Sequence, residues 1–103
     1  MPLPIEILTE TEGTRGWQFE AQVVQSDGSL RRIRMDLAWA DYDWWCPDGT
    51  VPPAAVIEAV LHWLLAHPDG RGLPERLDAS LVRRMHPDAD RDIRRMLSPG
   101  GPP

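Results

Sequence analysis

The sequence predicts an α+β domain: a three-stranded antiparallel sheet (a meander) packed on one face by a main helix and two short C-terminal helices. Two observations carry this prediction. Apolar and polar residues alternate through residues 17–23 and 32–39, which is typical of half-buried strands. Apolar residues then recur at helical spacing through residues 53–66. Because the strand signals precede the helix signals, we expect the helices to cover one side of the sheet.

The first strand is predicted at residues 3–9, followed by a loop over residues 11–16. Three apolar side chains share one face of this strand: Leu3, Ile5 and Ile7. Pro2 and Pro4 place the strand at an edge of the sheet, because proline has no N–H to donate to a ladder.

The turn between the second and third strands fixes their register. A two-residue turn would set Phe19 opposite Asp36, and each apolar row would then face a polar row. A three-residue loop at residues 26–28 sets Phe19 opposite Met35 instead. We therefore predict the three-residue loop, with Gly28 in the left-handed position of a G1 bulge.

The main helix is predicted at residues 53–66, with Thr50 as its N-cap. Its apolar arc, which Trp63 extends, consists of Val56, Ile57, Val60, Leu61, Leu64 and Leu65. This arc is wider than one sheet face usually covers, so its excess must meet other elements or a partner.

Two short helices follow. Asp78 is the expected N-cap of a helix over residues 79–85, and a last helix starts at Asp88 or Asp90 and runs to Leu97. Residues 1–97 therefore form a single domain. Residues 98–103 are rich in Pro and Gly and are expected to be a flexible tail.

Composition excludes several classes of protein. One cysteine in 103 residues excludes a disulfide scaffold, and no apolar run approaches the ~20 residues that a membrane span needs. The N-terminus lacks the pattern of a signal peptide, so we expect a cytoplasmic protein. All eleven basic residues are arginine, which indicates a GC-rich bacterial genome.

No catalytic residue, cofactor or metal site is predicted. The absence of lysine excludes a Walker-type phosphate site, and His62 and His67 lie five residues apart, on different faces of a helix. Cys46 lacks a Cys-His signature, and a thiol-dependent enzyme centred on it is kept only as a second alternative.

Three of the five tryptophans lie in residues 39–45. Trp39 continues the inward row of the third strand and is expected in the core. Trp44 and Trp45 are adjacent and point apart on any regular element, so one can be buried while the other is at least partly exposed. Exposed tryptophan beside tyrosine and acid is typical of an interface anchor, and a purely structural role for both rings is the alternative. The predicted partner-binding residues are Tyr42, Trp44, Trp45 and Trp63.

The C-terminal arginines supply a different hypothesis, a nucleic-acid-associated regulator. The residues concerned are Arg83, Arg84, Arg91, Arg94 and Arg95. The spacing predicts that Asp90 pairs with Arg94 and Asp92 with Arg95. The net charge of the chain is −5, and an acidic body is unfavourable for phosphate binding, so nucleic acid is only the alternative.

Three segments resemble a group of small bacterial cytosolic proteins of unknown function: Leu37-Ala38-Trp39-Ala40-Asp41-Tyr42, Val51-Pro52-Pro53 opening a helix, and Leu73-Pro74-Glu75-Arg76-Leu77-Asp78-Ala79-Ser80. The resemblance covers roughly residues 17–97. It implies a bacterial cytosolic origin and a compact single domain, and the group supplies no activity that could be transferred to this chain.

These observations favour a small soluble non-enzymatic protein-interaction module. Its expected partner is another protein or a second copy of the chain.

Overall fold

A computed structural model describes residues 5–25, 27–67 and 73–97, and its fold is α+β. Within these ranges four strands form one sheet: β1 (Ile5–Glu12), β2 (Gly16–Val24), β3 (Leu30–Ala38) and β4 (Arg76–Asp78). The described part of the chain also contains four helices: α1 (Trp39–Trp45), α2 (Pro53–Ala66), α3 (Ala79–Met85) and α4 (Ala89–Leu97). The strands lie in the order β1-β2-β3-β4, with β4 parallel to β3 and the other pairs antiparallel.

The predicted three-stranded antiparallel sheet is therefore incomplete. Its three strands are present, but β4 joins β3 and makes the sheet mixed. This three-residue strand lies between the predicted main helix and the predicted helix over residues 79–85, where no strand is predicted. With only Leu77 buried between two exposed residues, β4 is too short to show an alternating pattern.

The predicted register of β2 and β3 is confirmed. Phe19 pairs with Met35, and the Gly28 N–H donates to the Gln25 carbonyl at 2.9 Å. Gly28 has a φ of +86°, the left-handed conformation that the bulge requires. Ser26, the first residue of the predicted loop, lies outside the described residues.

Strand β1 differs in its bounds from the prediction. It continues to Glu12, where a loop was expected, while Leu3 and both N-terminal prolines lie outside the described residues. Its register shifts between Ile7 and Thr9, which indicates a β-bulge. Its position at one end of the strand order confirms the predicted edge strand.

The core lies between the sheet and the helices. Side chains of β2 alternate between buried residues such as Phe19 and exposed ones such as Gln18. Helix α2 packs on the buried face through β1 and β3 and also contacts α1, α3 and α4. Its wide apolar arc is thus covered from within the chain. The opposite face of the sheet, called the outer face below, carries the polar residues of the strands.

The N-cap predicted for α3 is confirmed, and the N-cap predicted for α2 is wrong. Asp78 caps α3 as expected, since its Oδ1 accepts the Ser80 N–H at 2.9 Å. The N-cap of α2 is Pro52 rather than Thr50. Thr50 instead donates its backbone N–H and its hydroxyl to Asp48 Oδ1, at 3.2 and 2.9 Å, and so closes the turn that precedes the helix.

Trp39 is not in the core, contrary to the prediction. Strand β3 ends at Ala38, and the backbone turns into α1 before the inward row reaches Trp39. The Trp39 side chain is 40% exposed, and its ring packs edge-on against Trp17 with centroids 4.2 Å apart.

Among the described residues, no helix is long and apolar enough to cross a membrane. The predicted tail, residues 98–103, lies outside the described part of the chain.

Gly16 yields a stability prediction. A Cβ at this position would lie 2.0 Å from the Leu37 carbonyl oxygen, and the φ of Gly16 is +149°. We expect Gly16→Ala to lower the free energy of unfolding by at least about 2 kcal/mol in urea denaturation. Gly13→Ala is the matched control, because a Cβ there meets its neighbour at an ordinary 3.8 Å. Equal stability of the two variants would contradict this account of the β2–β3 contact.

Candidate functional site

Asp90 of α4 holds two adjacent tryptophans of α1. Its Oδ2 accepts the Trp44 indole N–H at 2.7 Å, and its Oδ1 accepts the Trp45 indole N–H at 2.9 Å. The Trp45 side chain is 2% exposed, so its N–H needs an acceptor within the protein. Trp44 remains 43% exposed. The prediction that one ring is buried and the other exposed is therefore confirmed.

Asp92, two residues further along α4, binds another tryptophan, Trp63 of α2. Its Oδ2 accepts the Trp63 indole N–H at 2.9 Å. The Trp63 ring stacks on His67 with centroids 4.2 Å apart. The expected pair of Asp92 with Arg95 is not formed. The arginine near Asp92 is Arg91, whose Nε lies 4.0 Å from Oδ1.

Two arginines surround the exposed Trp44 ring. The guanidinium carbons of Arg83 and Arg94 lie 4.6 and 4.5 Å from its centroid, within the range of cation–π attraction. Arg94 Nε also donates to the Trp44 carbonyl at 2.9 Å. We call these residues, with Asp90, the Trp44 cluster. Contacts from α3 and α4 thus fix the orientation of a ring on α1.

Arg83 also pairs with a buried carboxylate of α1. Arg83 Nη1 donates to Asp41 Oδ1 at 2.6 Å, and Asp41 is only 3% exposed. Among the described residues, Asp41 Oδ2 and Arg83 Nε have no hydrogen-bond partner. Removing the Arg83 guanidinium would leave the Asp41 carboxylate buried and unpaired, which is strongly destabilising.

Of the four predicted partner-binding residues, only Trp44 is largely exposed. Trp45 and Trp63 are buried, and Tyr42 is half-buried with its hydroxyl donating to the Val51 carbonyl. Burial, followed by the charges of Cys46 and nearby aspartates, raises the pKa of Tyr42. The structure brings Trp44 and Trp45 together on Asp90, while Trp63 is held separately by Asp92.

The five C-terminal arginines do not act as one set. Arg83 and Arg94 belong to the Trp44 cluster, and Arg91 lies beside Asp92. The side chains of Arg84 and Arg95 are exposed and make no hydrogen bond or ion pair with the described part of the chain. Nucleic-acid binding stays a prediction, and these two arginines are its remaining support.

Cys46 is buried, with 3% exposure. Its Sγ donates to Asp48 Oδ1 at 3.4 Å and lies 4.0 Å from Thr50 Oγ1. Hydrogen bonds from Thr50, and then from Cys46, hold the pKa of the Asp48 carboxyl below its ordinary value. The polar side chains next to the thiol are those of Asp48, Thr50 and Tyr42, whereas an activated thiolate needs a nearby positive charge. The thiol-dependent enzyme stays a prediction.

Sequence reasoning missed a second candidate site on the outer face of the sheet. Two cavities of about 460 and 300 Å³ lie there and share Thr11, Gln18 and Asp36. The larger extends over the turn after β1, and the smaller reaches Arg34 and Arg76. A repeated Arg-apolar-Asp triplet, at residues 34–36 and 76–78, is the sequence signal that could have identified it.

No group of histidine, cysteine and acidic side chains suited to a metal ion occurs among residues 5–25, 27–67 and 73–97. Comparison of the chain with protein-family models, with curated proteins and with solved structures finds no match. The resemblance to small bacterial proteins therefore stays a prediction.

The two hydrogen bonds to Asp90 yield a stability prediction. We expect Asp90→Ala to lower the free energy of unfolding by about 1–3 kcal/mol, because it leaves the buried Trp45 N–H without an acceptor. Asp43→Ala is the control: this carboxylate is also near Trp44 but exposed, and its loss is expected to change stability by less than about 0.5 kcal/mol. Urea denaturation of both variants measures the difference. A similar small effect for both would show that the bonds to Asp90 contribute little.

Proposed function

We propose that this chain is a non-enzymatic protein-interaction module that binds its partner through its helical layer, with Trp44 as the anchor. The observation that carries the proposal is the combination of exposure and fixed orientation at this residue. The ring is 43% exposed, yet its N–H is bound by Asp90 and its face lies against two guanidinium groups.

Such a ring suits binding for an energetic reason. Ordering a flexible side chain at an interface costs about 0.5–1.5 kcal/mol, and a ring that is already held avoids much of that cost. Tryptophan is also among the residues that most often dominate binding energy when a partner pocket encloses them. Trp45 and Trp63 support Trp44 in this proposal by fixing α1 and α2 against α4, rather than by touching the partner.

The test compares Trp44→Ala with Trp39→Ala. Trp39 lies on the same helix and is similarly exposed, at 40%, but it lies outside the Trp44 cluster. Proteins retained from the native host by each variant are identified and then reconstituted from purified components. We expect a partner that binds the wild type and Trp39→Ala but is lost from Trp44→Ala.

Self-association is measured in the same series by sedimentation. If the partner is a second copy, the mass of the wild type rises with concentration and that of Trp44→Ala does not. A wild type that stays monomeric, together with partners retained equally by both variants, would contradict the proposal.

A further inference from the structure

Strands β3 and β4 align two copies of the Arg-apolar-Asp triplet. The parallel register pairs Arg34 with Arg76 and Asp36 with Asp78. Like charges directly opposite each other destabilise a sheet. The two arginines form a positively charged row across the strands, and the two aspartates form a negatively charged row beside it.

Both rows lie on the outer face of the sheet. The middle residues of the triplets, Met35 and Leu77, are paired and buried, with 0% and 7% exposure. Since successive side chains of a strand point to opposite faces, Arg34, Asp36 and Arg76 point away from the helices. Asp78, at the end of β4, also lines the larger cavity but turns one carboxylate oxygen to the first turn of α3.

These charges are largely available to a ligand. The carboxylate nearest to Arg34 is that of Glu20, at 3.8 Å, and the Arg34 side chain stays 65% exposed. Asp36 and Arg76 make no side-chain hydrogen bond or ion pair with the described residues. Asp78 uses one of its two carboxylate oxygens to cap α3.

The rows also line a continuous depression. Arg34 and Arg76 line the smaller cavity, Asp78 lines the larger, and Asp36 lines both. The arginine and aspartate rows are two residues apart along the strands, which is about 6.6 Å. This is also the separation of neighbouring side chains on one side of an extended peptide. The two charges of a free amino acid, one carbon apart, are too close together to reach both rows.

We propose that this groove binds an extended segment of a partner protein that carries an acidic and a basic residue two positions apart. The acidic side chain lies over Arg34 and Arg76, and the basic side chain lies over Asp36 and Asp78. This site is on the face of the sheet opposite the helices, so it does not depend on Trp44.

The probe is a capped threonine-rich peptide with one glutamate and one arginine separated by a single residue. In the control peptide the same glutamate and arginine are adjacent, so that in an extended chain they point to opposite sides. Binding at low ionic strength is followed by backbone amide NMR of the full chain. We expect the first peptide to shift the amides of residues 34–36 and 76–78, and the control peptide to bind more weakly.

Charge-removing variants locate the site. Asp36→Asn and Arg76→Gln are each expected to weaken binding of the first peptide by roughly two- to fivefold, the range for an exposed ion pair. Glu6→Gln is the matched control, since Glu6 is an exposed carboxylate of the same sheet that lines neither cavity. It should leave binding unchanged. The amide spectrum of each variant verifies its fold.

Several results would overturn the proposal: no binding of the first peptide, equal binding of both peptides, or binding that is indifferent to Asp36→Asn and Arg76→Gln. A mass that rises with concentration in the wild type but not in Asp36→Asn would assign the groove to a second copy and would also overturn it. Substitution of Trp44 is expected to leave peptide binding unchanged. A negative result in this assay therefore does not contradict the proposal that Trp44 anchors a partner on the helical layer.

Discussion

The pairing of Phe19 with Met35 decides which side chains of the sheet meet the helices. Because side chains alternate along a strand, shifting β3 by one residue against β2 would move its apolar side chains to the outer face and its charged side chains to the core. The observed register gathers the apolar rows of β2 and β3 under α2 and α3. It also leaves the charged residues of β3 together on the outer face. Both candidate surfaces therefore depend on this one register.

The helical layer is joined by polar contacts as well as by apolar packing. Asp90 and Asp92 on α4 accept the indole N–H groups of three tryptophans from α1 and α2. Large apolar rings can thereby enter a small core while each N–H keeps an acceptor. The same contacts leave the Trp44 ring fixed at the surface. The proposed interaction surface is thus a consequence of how the core satisfies its polar groups.

The sequence was informative where a local pattern decides the structure. The alternation of apolar and polar residues predicted the register around Gly28, and the N-cap at Asp78 predicted the start of α3. The errors arise where the structure is decided by contacts between residues that are far apart in the sequence. Strand β4 exists because three residues pair with β3, and no pattern that short is distinguishable from a loop. The helical spacing of Asp92 and Arg95 predicted a local ion pair, but the Asp92 carboxylate instead accepts the indole N–H of Trp63, 29 residues away in the sequence. The outer groove was missed because the parallel pairing of its two triplets is itself non-local.

The register can be measured directly by the nuclear Overhauser contacts between backbone protons of β2 and β3. This account predicts cross-strand contacts that join Phe19 to Met35 and Ala21 to Ile33. Contacts that join Phe19 to Asp36 would contradict it, because the apolar rows would then lie on opposite faces of the sheet and neither candidate surface would exist as described.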